Sequence, residues 1–251
     1  MLYPMPDIHV CEGGSALLSP VIEGRFAKLD WAGGKGKIEE GEPGVFEYVP
    51  GESESEGVIE ITLTATPDKG CQVQSQSVRL TMDKMPSVEL KDLRKCEGQP
   101  INMEPIISSK YDSVVWSSSG TGTFERPNFP LSLYLPSTAD LKGEGVMLTI
   151  KAHNGVCPPA ESTARLVIDE LPVAKVNVVR KSDFFQLKLI TEETNKVKWK
   201  HSGKGKLRTE NEMIVMYEMA ESDEQVRVEA MVTSIFGCET IIETILTQKL
   251  Q

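Results

Sequence analysis

The sequence predicts an all-β protein, three tandem antiparallel β-sandwiches joined end to end as a rod. Two observations carry that expectation. Five landmarks recur down the chain at nearly constant offset, and the segments between them alternate apolar and polar residues with a period of two.

The landmarks fix the organisation. Cys11-Glu-Gly13 recurs as Cys96-Glu-Gly98, and Trp31 recurs as Trp116 and Trp199. Gly34-Lys-Gly36 returns as Gly120-Thr-Gly122 and Gly203-Lys-Gly205; Tyr48 returns as Tyr134 and Tyr217; Cys71 returns as Cys157 and Cys238. The expected modules are therefore 1–86, 87–172 and 173–251. In the first, Ile59, Ile61, Leu63 and Ala65 alternate with Glu60, Thr62 and Thr64, as a half-buried strand requires. Val146, Leu148, Ile150 and Ala152 answer in the second module, and Val226, Val228, Ala230 and Val232 in the third. A closing strand, Val78, Leu80 and Met82, matches Ala164, Leu166 and Ile168. No segment of helical length keeps a helical apolar period. Short strands cut by Gly, Pro, Asn and Asp, in so few residues, suggest a seven-strand sandwich of immunoglobulin type. The joints, Asp83-Lys-Met-Pro86 and Asp169-Glu-Leu-Pro172, are short and proline-stiffened, unlike a Gly/Ser tether.

Five cysteines hold repeat-equivalent places. Small modules bury limited cores, so the expected pairing is inside each module, Cys11 with Cys71 and Cys96 with Cys157. Each link would contribute roughly 4 kcal/mol by loop entropy. In the third module the first-cysteine position falls near Val179, which leaves Cys238 unpaired. The competing reading is five reduced, buried thiols. Persistent disulfides imply an oxidising compartment, outside the cell or in a periplasm. Without a CxxC or histidines at ligand spacing, metal binding by these cysteines is not expected.

Bulk composition removes several classes. The 251 residues carry 27 Lys+Arg against 37 Asp+Glu, a net charge of −10, which argues against a nucleic-acid partner. With 39% hydrophobic and 25% charged residues, the chain reads as globular. No apolar run is long enough to predict a membrane span, and the N-terminus lacks the pattern of a signal peptide. An exported protein would then have lost its signal, or carry it in a part of a longer chain.

The second module reads Trp116-Ser-Ser-Ser-Gly-Thr-Gly-Thr-Phe124, then Tyr134-Leu-Pro136 through Ile150, then Cys157. Over most of that module it resembles the PKD-like, immunoglobulin-like tandem repeats of Bacteroidetes secreted and cell-surface proteins, including gliding-motility-associated adhesins. The first module keeps Cys, Trp, the glycine pair, Tyr-x-Pro and Cys, but is one residue shorter after Trp31. The third lacks the first cysteine and the proline after Tyr217. The resemblance implies an extracellular location and a spacer or adhesive role, and implies no catalytic residue.

Candidate sites are few. A phosphate loop needs a helix after its glycines, whereas strand-like residues follow each Gly-x-Gly here, so a tight turn is expected. One tryptophan per module at a fixed place is expected to be buried equivalently in each core. His9, His153 and His201 are not repeat-equivalent, and no nucleophile, base and acid set appears, so no enzyme is expected and no cofactor is called for. Glu39-Glu-Gly-Glu42 and Glu52-Ser-Glu-Ser-Glu56 lack the Asp-rich pattern of a calcium loop and read as solvated. Asp112-Ser113-Val114 resembles the Bacteroidetes O-glycosylation triplet. In the third module Lys196, Lys198 and Lys200 alternate with Val197 and Trp199, and Lys204, Lys206 and Arg208 follow. These six residues are expected to form one basic face, either a solubilising edge or a site for an anionic polymer. The function expected is a non-catalytic spacer, stalk or adhesive segment of a larger surface protein, with a surface glycan or protein partner. The alternative is a carbohydrate-binding accessory module of a glycan-capturing system, which would need an exposed aromatic platform.

Overall fold

The computed structural model describes residues 1–68, 72–108, 110–141 and 144–248, and every regular element among them is a strand. They gather into two compact units, one of residues 1–92, 100–137 and 146–165, the other of 93–99, 138–145 and 166–251.

The first repeat supplies β1 (Ile8–Cys11), β2 (Ala16–Leu18), β3 (Phe26–Ala32), β4 (Lys37–Glu40), β5 (Phe46–Val49), β6 (Gly57–Pro67) and β7 (Gln74–Asp83). They form two sheets, β1-β7-β6-β3 and β2-β5-β4. Every second residue is buried from Ile59 to Ala65 in β6 and from Val78 to Met82 in β7, with Ile61, Leu63, Ala65, Val78 and Leu80 fully enclosed between the sheets. This is the alternation read from the sequence.

The second repeat supplies β8 (Val88–Glu89), β9 (Leu93–Cys96), β10 (Ile101–Met103), β11 (Ile106–Ile107), β12 (Ser113–Ser118), β13 (Thr123–Phe124), β14 (Ser132–Leu135), β15 (Val146–His153) and β16 (Ala160–Asp169). Its sheets run β12-β15-β16-β9 and β10-β14-β13, with β11-β8 as a separate pair. The third supplies β17 (Lys175–Arg180), β18 (Phe185–Ile190), β19 (Lys196–His201), β20 (Lys206–Asn211), β21 (Ile214–Glu218), β22 (Gln225–Thr233) and β23 (Glu239–Thr247). These form β17-β18-β21-β20 and β19-β22-β23.

One pairing separates the third repeat from the others. β1 runs parallel to the closing strand β7, which sets Cys11 opposite Asp83; β9 runs parallel to β16, which sets Cys96 opposite Asp169. β17 instead pairs antiparallel with β18, in the opposite sheet. The divergence of the third repeat is thus a change of sheet by its first strand.

The recurring Tyr and Gly-x-Gly landmarks are one structure. The Tyr48 ring lies against the turn between β3 and β4, and a Cβ on Gly34 would stand 2.1 Å from the Tyr48 hydroxyl. A Cβ on Gly205 would stand 2.0 Å from the Glu218 carbonyl oxygen, so a side chain is excluded at both places. The amide of Gly36 donates to the Tyr48 hydroxyl at 3.0 Å, and that hydroxyl donates to the Glu54 carboxylate at 2.7 Å. Glu54 also accepts from the amides of Lys35 and Gly51, each at 2.8 Å. The third repeat has the same lock. Tyr217 donates to Asp223 at 3.0 Å, and Asp223 accepts from the amides of Lys204, Gly205 and Ala220. Tyr134 and Asp140 keep the six-residue spacing in the second repeat, and both are buried. Glu54 therefore is not part of a solvated acidic loop. Only its neighbours Glu52 and Glu56 fit that reading, since Glu54 is 8% exposed while accepting three hydrogen bonds.

These locks set an acid dependence. Burial disfavours the Glu54 carboxylate, but the Tyr48 hydroxyl and the two backbone amides outweigh it and hold its pKa below the ordinary 4.5. The Lys204 amide is the main cause that lowers Asp223 below 3.8; burial opposes it, and the Ala220 amide, the Tyr217 hydroxyl and the Gly205 amide add to it. A depressed carboxylate contributes stability above its unfolded pKa and loses it as pH falls through the folded one. The urea midpoint is therefore expected to fall between pH 5 and pH 3. In Glu54→Gln/Asp223→Asn the chain should be weaker at neutral pH and titrate less steeply in acid. A double variant with the wild-type acid slope would remove the locks from this account.

Candidate functional site at the cysteine-bridged joints

The two disulfides of the described residues do not stay inside a repeat. Cys11 is bonded to Cys157, and Cys96 to Cys238. The expected pairs Cys11–Cys71 and Cys96–Cys157 are thus corrected, and Cys238 is bonded rather than free. Cys71 itself lies outside the described residues. The reason is strand geometry. Cys96 stands opposite Asp169, the last residue of β16, while Cys157 precedes the first, Ala160. Ten residues of strand at about 3.3 Å each separate those ends by roughly 30 Å, against the 7 Å or less that two bonded Cα atoms allow. The parallel edge strand carries the first cysteine to the exit of its own sandwich. There it meets the turn before the closing strand of the next repeat. The bonds span 146 and 142 residues of chain, each worth roughly 5 kcal/mol by the loop-entropy estimate.

The first joint is polar around its bridge. The Asp83 carboxylate accepts from the amide of Val156 at 3.1 Å and lies 3.1 Å from His9 Nδ1. Asn154 Nδ2 donates to the Lys84 carbonyl oxygen at 2.6 Å, and the amide of Gly155 donates to Asp112 at 2.6 Å. Gly155 has φ +51°, and a Cβ there would stand 1.9 Å from an Asp83 carboxylate oxygen, so this turn needs its glycine. Lys84 pairs with Glu12 at 2.9 Å. That hydrogen bond, with one from the Met85 amide, holds the Glu12 carboxyl below its usual range. Asp112 is thus engaged in the joint, while Ser113 of the glycosylation-like triplet is exposed.

The second joint is built from different residues. Arg94 donates twice to Asp169, at 2.6 and 2.9 Å, and its guanidinium lies 3.8 Å from the centroid of the Phe236 ring. An arginine fixed by a bidentate carboxylate and stacked on a ring is a geometry lysine cannot reproduce. Next to it Val173, Ile235 and Phe236 are exposed around a shallow groove that Glu192 and Pro172 also line. Among the described residues, no group of three His, Cys, Asp or Glu side chains is placed to hold a metal ion.

The basic face divides. Lys196, Lys198 and Lys200 do share the outer face of β19, with Val197 and Trp199 turned inward. Lys206 and Arg208 lie on β20, in the other sheet, where Leu207 packs inward and Arg208 stands 3.6 Å from Glu218. Lys204 is in the connection between the two strands. The chain changes sheets there, so the outer faces of β19 and β20 look in opposite directions. Beside the three lysines the register places Glu229 and Glu243 on the same outer face, with Arg227 3.7 Å from Glu243.

The tryptophans are not equivalent. Trp116 is 4% exposed, stacks on Phe124 at 5.2 Å and donates to the Phe129 carbonyl oxygen at 2.9 Å. Trp199 and Trp31 are half-buried; Trp199 donates to the Glu212 carbonyl oxygen at 2.9 Å. The buried indole N–H of Trp31 has no partner among the described residues. The first repeat is one residue shorter after Trp31, and Gly44 stands at the spacing where the others place their acceptor.

No family model and no curated protein matches this sequence. Among solved structures the chain is similar to the I-band fragment I67–I69 of titin, with 15% identity, 99% of each chain covered and a TM-score of 0.50. A second structure of titin domains I67–I69, an E-to-A mutated variant, aligns at 17% identity over 98% of this chain and 96% of that one, with a TM-score of 0.48. The N-terminal eight Ig domains of Down Syndrome Cell Adhesion Molecule align at 12% identity over 98% of this chain and 41% of that one, with a TM-score of 0.45. The chain therefore has the fold of three tandem immunoglobulin-like β-sandwiches.

Proposed function

We propose that this chain is a non-catalytic spacer or adhesive segment of a larger extracellular or cell-surface protein, made of three repeats with boundaries at 86/87 and 172/173. The observation that supports it is the overlap of the two disulfides. Cys11–Cys157 closes a loop that contains Cys96, and Cys96–Cys238 closes one that contains Cys157. Together they limit how far the chain can be drawn out, which is what a load-bearing stalk requires. Bonds of this kind persist in oxidising compartments, which supports a surface or periplasmic location. Residues 116–157 add their resemblance to PKD-like repeats of Bacteroidetes surface proteins. The test is stretching single molecules with and without reductant.

The three-lysine face of β19 supports a second reading, capture of an anionic glycan. Retention on a sulfated polysaccharide at low salt should then fall steeply toward physiological salt, where exposed charges are screened within about 8 Å. Lys196→Gln/Lys198→Gln/Lys200→Gln should abolish it without lowering the thermal midpoint, because exposed charges contribute little to folding. No retention at low salt would leave the face a solubilising edge.

A further inference from the structure

The two bridges obey one rule: the first cysteine of a repeat is bonded to the last cysteine of the repeat after it. Cys11 reaches Cys157 across 146 residues and Cys96 reaches Cys238 across 142. The supports of the rule are also shared. In both repeats the first cysteine ends a parallel edge strand opposite the last residue of the closing strand, Asp83 or Asp169. In both acceptor turns a glycine of positive φ lies within two residues of the cysteine, Gly155 before Cys157 and Gly237 before Cys238. The third repeat offers no cysteine forward, and its first strand β17 lies in the other sheet.

Of the five cysteines these bonds consume four, and the remaining one, Cys71, is a last cysteine by the same offset, 86 residues before Cys157 and preceded by Gly70. Every other last cysteine in the chain is the acceptor of a bridge from the preceding repeat. We propose that Cys71 is an acceptor of the same kind. Its partner is the first cysteine of a further sandwich repeat N-terminal to this one in the parent chain, about 142 to 146 residues before Cys71. The partner is thus recognised by its chemistry, a cysteine at the end of an edge strand beside a closing strand. Formation of the bond is an ordinary dithiol oxidation. The two thiols lose two protons and two electrons, and the disulfide of a thiol–disulfide oxidoreductase takes them up to become a dithiol. A mixed disulfide is the intermediate, and the attacking thiolate displaces the enzyme sulfur from it. The ladder would then cross-link the first and second repeats each to both of their neighbours, while the third keeps its one bridge to the second.

The test is disulfide mapping of the parent protein isolated from its own host, with free thiols blocked before digestion. The expected result is a Cys71 peptide joined to a peptide from outside these 251 residues, with its cysteine 142 to 146 positions upstream. Recovery of Cys71 as a blocked free thiol, as a Cys71–Cys71 dimer or as a small-thiol adduct would overturn the proposal. A second measurement uses the 251-residue chain. Thiol titration in denaturant should find one free thiol per molecule and none in Cys71→Ser, while both mapped bridges persist in that variant. Loss of either bridge on substituting Cys71 would equally overturn it, because Cys71 would then be exchanging with the pairs described here.

Discussion

Pulled from its ends, the oxidised chain is expected to yield no more than about 230 Å between Cys11 and Cys238, against roughly 820 Å once reduced. The limits follow from the shortest covalent path at about 3.6 Å per extended residue. In the reduced chain that path is the whole 227 residues from 11 to 238. In the oxidised chain it runs from Cys11 across the bridge to Cys157, back along the 61 residues to Cys96, and across the second bridge to Cys238. The direct stretches from 11 to 96 and from 157 to 238 are longer, 85 and 81 residues, and stay slack when the short path is taut. The traverse between Cys157 and Cys96 runs against the direction of the chain, a consequence of overlapping loops. Bridges confined within repeats, Cys11–Cys71 and Cys96–Cys157, would leave a path of 106 residues and two crossings, about 390 Å. The measurement therefore separates the two cross-linking patterns as well as testing the spacer reading. An oxidised chain that lengthens as far as the reduced one would remove the support for a load-bearing role.

The cysteine pattern shows how far sequence could be taken. Landmark spacing and strand alternation were legible because each is local: a residue of β6 faces the core or the solvent whatever happens elsewhere. Pairing was not. Linking within repeats uses Cys71 and leaves Cys238, linking to the next repeat uses Cys238 and leaves Cys71, and the count of five fits both. Only the parallel pairing of β1 with β7 and of β9 with β16, which puts the first cysteine at the far end of the closing strand, decides between them. The basic face failed for a similar reason. A strand, a glycine turn and a second strand read as one hairpin, yet β19 and β20 belong to different sheets. The buried acids Glu54, Asp140 and Asp223 had left a signal, each six residues after a landmark tyrosine. In the first repeat that signal was masked by the exposed glutamates at 52 and 56 on either side.

Trp116→Ala is expected to destabilise its sandwich by about 3–5 kcal/mol, the usual cost of deleting a large enclosed aromatic. The side chain is 4% exposed, its ring is stacked on Phe124 at 5.2 Å, and its N–H holds the Phe129 carbonyl oxygen at 2.9 Å. Alanine therefore leaves a cavity, an unstacked ring and an unpaired acceptor together. Trp199→Ala should cost less, since half-burial means a smaller loss of enclosed surface for the same change. Trp31 makes the sharper comparison. Its N–H is buried without a partner among the described residues, so Trp31→Phe removes a desolvated donor along with some packing. That substitution should be milder than Trp116→Phe, which breaks a formed hydrogen bond. Urea midpoints and iodide quenching of the four variants and wild type test the order directly. A loss below about 1 kcal/mol for Trp116→Ala, with ready quenching of wild-type Trp116 by iodide, would show the ring to be exposed and free to stack on a ligand. The same outcome would bring back an aromatic, sugar-binding surface in the second repeat, which the enclosed position of Trp116 now opposes.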